Sequence, residues 1–133
     1  MKNTFQLIQE SVPYLEETQG NITCIASIVA FQPSHMLGAY SVSKTAIVGL
    51  VKALSYELAH RDIRINSVCP GIVKTKFAGM ITETDEQAEQ FAMQRYGEPR
   101  EISGIISLLS NNERASYITG EAFNVCGGGN FRL

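Results

Sequence analysis

The chain has 133 residues, a formal net charge of −2, 44% hydrophobic and 18% charged residues. This balance fits one globular domain over 1–133 and excludes a disordered or fibrous chain. It leaves no basic footprint for nucleic acid, and no Lys/Arg cluster interleaves with the 8% of aromatic residues.

Residues 2–17 predict an amphipathic helix, because Phe5, Ile8, Val12 and Leu15 recur at helical spacing. Pro13 inside this run predicts a bend or a shortened last turn, and Gly20 predicts its end. Residues 21–27 are β-branched and almost continuously apolar, the pattern of a strand buried on both faces. A loop over 28–38, with Pro33 and Gly38, leads into a long helix over 39–60. The apolar residues of that helix spread round much of its cylinder, which predicts a largely buried element. Residues 63–69 predict a strand closed by Pro70-Gly71. Residues 76–96 are polar, with a helix expected near 84–95. Pro99 opens a further helix that runs to about Ser110. Residues 122–126 predict a last strand, ended by Gly127-Gly128-Gly129. Strands alternating with helices in this order predict an α/β architecture with a parallel sheet of about three strands and covering helices.

The three cysteines, Cys24, Cys69 and Cys126, each lie in an apolar stretch, and no two share a metal-ligand spacing. They are expected to be buried, reduced thiols in a reducing compartment, with no metal site. No apolar run approaches the length of a transmembrane helix, and Met1-Lys2-Asn3-Thr4 lacks the apolar centre of a secretory signal. A cytoplasmic location is therefore expected. Phe131-Arg132-Leu133 is a poor match to the Ser-Lys-Leu peroxisomal address, which leaves a peroxisomal location as the alternative.

Three groups of residues bear on chemistry. Tyr40 and Lys44 are four apart at the start of a helix, so their side chains share a face. A phenol is a poor acid–base group at neutral pH, and a neighbouring ammonium favours its phenolate form, so the pair could donate a proton. Taken alone the spacing also fits an ordinary pair on a helix surface. Ser27 stands at the carboxyl end of a strand, where open parallel sheets bind their ligands, and its hydroxyl could hydrogen-bond a carbonyl oxygen. A turn or cap serine is the plainer alternative. Pro70-Gly71-Ile72-Val73-Lys74-Thr75 lies at the carboxyl end of the next strand, where proline and glycine turn the chain and let backbone approach a ligand.

Ser27, Tyr40, Lys44, the Ile63-Arg64-Ile65-Asn66 strand and Pro70-Gly71-x-x-x-Thr75 occur together in an order that resembles the short-chain dehydrogenases/reductases. Gly97-Glu98-Pro99, the Ser116–Glu121 segment and the closing Gly-rich strand resemble that family's C-terminal segments. Within the family, Tyr40–Ala46 and Ala115–Glu121 look most like NADPH-dependent carbonyl and retinal reductases. The resemblance implies the C-terminal half of a Rossmann-like doubly wound sheet. It implies an oxidoreductase that reduces ketones, aldehydes or retinal with NADP(H). Tyr40 would protonate the alkoxide, Lys44 would tune Tyr40 and hold the nicotinamide ribose, and Ser27 would position the carbonyl. Pro70, Gly71, Ile72 and Thr75 would contact the cofactor, and Asn66 would be structural. Phe77, Met80 and Phe91 would line an apolar substrate pocket under a lid formed by 76–96, although simple packing explains them equally. Homo-oligomers would form through helices 2–17 and 39–60.

Nothing in the chain matches the family's Gly-rich pyrophosphate loop, because Gly127-Gly128-Gly129 follows a strand but opens no helix. The chain is therefore expected to be a partial form with an unpaired edge at strand 21–27 and limited stability alone. The alternative to an active reductase is an inactive interaction module that pairs with an intact relative.

Overall fold

The computed structural model describes residues 2–79 and 88–129. Helix α1 (Lys2–Thr18) precedes strand β1 (Asn21–Ile25), helix α2 (Gly38–Ala59) and strand β2 (Arg64–Pro70). Helix α3 (Pro99–Ser110) and strand β3 (Ala122–Val125) follow. Short 3₁₀ turns form at Ile28–Ala30, Lys76–Ala78 and Ala88–Gln90. The strands make one parallel sheet in the order β1-β2-β3, with Asn21 opposite Arg64 and Pro70 opposite Val125. This is the parallel sheet of three strands with covering helices that the strand–helix alternation predicts.

The strand period of two distributes side chains between two helical layers. Ile22 and Cys24 of β1 join Ile8, Val12, Val51, Leu58 and Ile65 beneath α1 and α2. Asn21 points the other way, and its amide donates to Ser110 O at the end of α3 at 3.2 Å. The central strand is closed on both faces: Ile65, Val68 and Cys69 expose nothing.

Several expectations are corrected. Strand β1 stops at Ile25, because Ser27 caps the following 3₁₀ turn, and its Oγ accepts from Val29 N–H at 3.4 Å. Cys24 is the one buried residue of β1, and Ile25 is 45% exposed. The strand lies at a sheet edge and is not enclosed on both faces. Helix α2 is not largely buried: Ser41, Val51, Ser55 and Leu58 are, whereas Val42 and Tyr56 face outward. Only one side of the cylinder meets the sheet. Helix α1 continues through Pro13 to Thr18, so its last turn is not shortened. The left-handed residue at its end is Gln19, with φ 50°, and Gly20 N–H bonds back to Leu15 O at 2.8 Å.

Over 88–95 no α-helix forms. The 3₁₀ turn Ala88–Gln90 gives way to further turns, with Ala88, Phe91 and Tyr96 packed on Ile28. Met93 N–H donates to Gly127 O at 2.9 Å, so tertiary contacts replace a helical ladder. The rest of that expected helix, Met80, and the Phe131-Arg132-Leu133 tail lie outside the described residues. Cys24 and Cys69 are buried thiols, but Cys126 is only half-buried, and its Sγ lies 3.7 Å from Gly129 O. Burial pushes the Cys24 thiol up from its ordinary value.

The amino ends of the strands are locked by polar groups. Arg64 is buried and donates to Leu109 O at 2.9 Å and to Asn112 Oδ1 at 2.7 Å. Desolvation lowers its pKa from the ordinary value, and the carbonyl end of α3 offsets part of that cost. Asn66, the residue expected to be structural, donates to Ile118 O at 2.9 Å and accepts from Glu121 N–H at 3.0 Å. Its amide thereby sets the approach to β3.

Candidate active site

At the opposite, carboxyl end of the sheet lies a cavity of about 1050 Å³. Each of its walls follows from a local feature of the chain. Ser27 enters it because β1 ends two residues earlier in the capped turn. Its oxygen accepts from Val29 N–H, which leaves the hydroxyl hydrogen available to a ligand. It is thus both the cap serine and a candidate ligand-binding serine.

Tyr40 and Lys44 enter from the first turns of α2. The Lys44 ammonium sits 5.5 Å from the centre of the Tyr40 ring, as the four-residue spacing requires. Lys44 Nζ also donates to Ile25 O at 2.9 Å, which anchors α2 to the end of β1.

Pro70, Gly71, Ile72 and Thr75 form the wall at the end of β2. Gly71 is required by proximity: a Cβ there would stand 3.0 Å from both Cα and Cβ of Cys126. Its N–H is held by Val125 O at 3.0 Å. Thr75 caps the next 3₁₀ turn by accepting from Ala78 N–H at 3.4 Å, and it keeps its own hydroxyl hydrogen to donate. The loop is braced from below, since Gly97 N–H donates to Ile72 O and Lys74 N–H donates to Gly97 O, both at 2.9 Å.

The structure thus places Ser27, Tyr40, Lys44, Pro70, Gly71, Ile72, Thr75, Phe77 and Phe91 on one cavity. Phe77 and Phe91 differ sharply. Phe77 is 89% exposed at the rim, whereas Phe91 is 3% exposed and also packs against Ile28 and Tyr96. For Phe91, pocket lining and core packing are both true.

The sequence reading missed part of the lining. Ile102, Ser103 and Ile106 of α3 face the cavity, as do Gln32 and His35 of the loop before α2. The i, i+4 isoleucines look like any core face, so only the fold reveals them. His35 lies five residues before Tyr40, and that proximity was the one usable signal. Among the described residues, no Asp or Glu lines the cavity. At the foot of α3, the Arg95 guanidinium holds the Glu101 carboxyl down at about 2, helped by the Glu98 N–H.

Residues 1–130 match the family model described as Enoyl-(Acyl carrier protein) reductase. The chain belongs to the short-chain dehydrogenase/reductase family. It is 46% identical over 127 residues to dehydrogenase/reductase SDR family member 4 of Oryctolagus cuniculus, covering 92% of this chain and 48% of the relative. A short-chain type dehydrogenase/reductase from Mycobacterium ulcerans superposes with a TM-score of 0.91 at 28% identity, over 97% of this chain and 48% of that one. A 3-oxoacyl-[acyl-carrier protein] reductase from Brucella melitensis, solved with bound NAD, gives 0.87 at 28% identity, over 100% of this chain and 49% of that one. The chain therefore spans about half the length of these short-chain dehydrogenase/reductase relatives, and the fold and the oxidoreductase family are common to all of them.

Proposed function

We propose that this chain carries the catalytic half of a carbonyl reductase that works with NADP(H) on ketones, aldehydes or retinal-like substrates. The observation that carries this reading is the meeting of Ser27, Tyr40, Lys44 and the Pro70–Thr75 loop on one cavity at the carboxyl end of a parallel sheet. The cavity is large enough for the nicotinamide end of a dinucleotide and a small substrate. Gly71 lets backbone come close, and the absence of a lining carboxylate among the described residues suits an anionic cofactor. The bound nicotinamide would supply the hydride.

The remaining chemistry belongs to the chain. The Ser27 hydroxyl, with its oxygen already accepting from Val29, donates to the substrate oxygen and fixes the carbonyl. The Tyr40 hydroxyl donates the proton that neutralises the alkoxide. The Lys44 ammonium, beside the Tyr40 ring, stabilises the phenolate left behind and serves the ribose hydroxyls. Pro70, Gly71, Ile72 and Thr75 would hold the nicotinamide end, with the Thr75 hydroxyl as a donor. Phe77 and Phe91 shape an apolar substrate side, consistent with weakly polar carbonyl compounds. The buried thiols Cys24 and Cys69 support a cytoplasmic location.

Titrating the chain with NADPH while following nicotinamide fluorescence tests cofactor binding. Tyr40→Phe is expected to cut carbonyl reduction by at least ~100-fold. The same change should alter NADPH affinity less than about threefold and stability by under about 0.5 kcal/mol. Retained turnover in that variant would refute the proton-donor assignment.

A second reading is favoured by the exposed apolar residues Leu7 and Tyr14 on α1 and Val42 and Tyr56 on α2. On that reading the two helices pair with a second copy or an intact relative, and the chain acts as a non-catalytic partner. Absent NADPH binding together with co-purification of a full-length relative would favour it.

A further inference from the structure

Ser27 and Tyr40 face one cavity from different elements, and among the described residues no hydrogen bond joins them. Their spacing depends on how the turn after β1 is tied to helix α2. Two consecutive residues of α2 supply hydrogen bonds for this. Lys44 Nζ donates to Ile25 O at 2.9 Å, two residues before Ser27. Thr45 Oγ1 donates to Ala30 O at 2.8 Å, three residues after Ser27. Ser27 is thus bracketed on both sides from a point about one helical turn beyond Tyr40.

The two ties differ in stiffness. Lys44 reaches its acceptor through a flexible four-carbon stem. Thr45 reaches through a single Cβ whose rotation is restricted by branching. Thr45 stands on an exposed side of α2, so burial of its side chain does not dictate where the hydroxyl points. That hydroxyl has one hydrogen to give. Ser41 O, the acceptor in the preceding turn that helical threonines commonly use, lies 3.0 Å away. Ala30 O is nearer and belongs to another element. Ala30 itself is buried, and a buried carbonyl is costly to leave without a donor. The turn carries the constraint to the serine: Ala30 N–H donates to Ser27 O and Phe31 N–H to Ile28 O, both at 3.0 Å.

We propose that Thr45 is a positioning residue that holds the Ser27 turn in register with Tyr40, so that both hydroxyls meet one carbonyl oxygen. The meeting on a carbonyl rests on the reductase reading of the cavity. The tie between turn and helix does not. Lys44 is the yielding half of the clamp, and Thr45 the stiff half.

The test compares Thr45→Val, which removes the donor, with Thr45→Ser, which keeps it, in the full chain. Amide hydrogen exchange needs no cofactor. In Thr45→Val the Ala30 and Phe31 amides should exchange at least ~10-fold faster, while the Ala26 amide, held by Val68 O, and the β2 amides stay unchanged. Thr45→Ser should restore the slow rates. If Thr45→Val unfolds, Thr45→Ala removes the same donor with the best helix former and is expected to behave alike. In a Lys44→Met background the acceleration should grow at least ~3-fold further, because the second tie is gone. With NADPH and a carbonyl substrate, Thr45→Val should lower kcat about 10-fold, since small misplacements of reacting groups are costly, and change the NADPH affinity less than about twofold. Thr45→Ser should keep more than half of kcat. Unchanged exchange at Ala30 and Phe31, or equal acceleration in β2, overturns the tie. A Lys44→Met background that adds nothing overturns the shared clamp. A loss in NADPH affinity as large as that in kcat overturns the positioning role. Failure of the reductase reading shows separately, as unchanged nicotinamide fluorescence in the unsubstituted chain.

Discussion

The two ends of the sheet put polar side chains to opposite uses. At the amino end, Arg64, Asn66, Asn21 and Asn112 bond to backbone carbonyls, an amide N–H and one another. At the carboxyl end, Ser27 and Thr75 accept one backbone hydrogen bond each and keep a donor in reserve, on a cavity shared with Tyr40. The first end commits its polar groups to stability, and the second holds some of them ready for a ligand. Lys44 belongs to both descriptions, since it anchors β1 while facing the cavity.

The sharpest way to break this comparison is Arg64→Leu. It leaves Leu109 O and Asn112 Oδ1 buried without their donor, and is expected to lower stability by about 3 kcal/mol in urea denaturation. A loss comparable to that of Tyr40→Phe would erase the distinction between the two ends. Gly120→Ala should cost about 2 kcal/mol. A Cβ there would lie 2.5 Å from Ser55 Oγ on α2, and the residue has φ +73°. A thermal melt showing no shift would mean that the amino end is less tightly packed than described.

The smallest effect concerns pH. The Glu101 carboxyl has a folded pKa of about 2 against an ordinary 4.5, held down by Arg95. A depressed carboxylate contributes stability above its unfolded value and loses it as pH falls through the folded one. Its contribution should therefore fade between pH 4.5 and about 2. The pair lies at the surface, so the change in stability should be slight even though a carbon-detected titration of Glu101 shows the shift clearly. A titration near 4.5 would remove Arg95 as its partner.

Much of this was legible in the sequence, because the strongest signals were local. Proline at the first position of α3 marked its start, and Pro70-Gly71 marked the end of β2. The four-residue spacing of Tyr40 and Lys44 brought them together without any tertiary knowledge. What failed depended on the rest of the fold. The apolar run at β1 reads as enclosed, yet its place at the edge comes from a neighbour that the local pattern does not encode. Over 88–95, the described part of the helix expected near 84–95, helical structure lost to contacts with Ile28 and to a hydrogen bond from Met93 to Gly127. The part of the cavity wall supplied by Ile102 and Ile106 was hidden for the same reason, since an apolar stripe on a helix does not say whether it meets a core or a cavity.

The three thiols described above give the chain its own clock for opening. Cys126, half-buried beside the closing glycines, can meet a small alkylating reagent in the folded state, whereas Cys24 on the edge strand is shielded and its thiol is further quieted by burial. The interval between the first and second modification in a mass spectrum therefore times the fraying of the buried sheet, with no probe engineered into it.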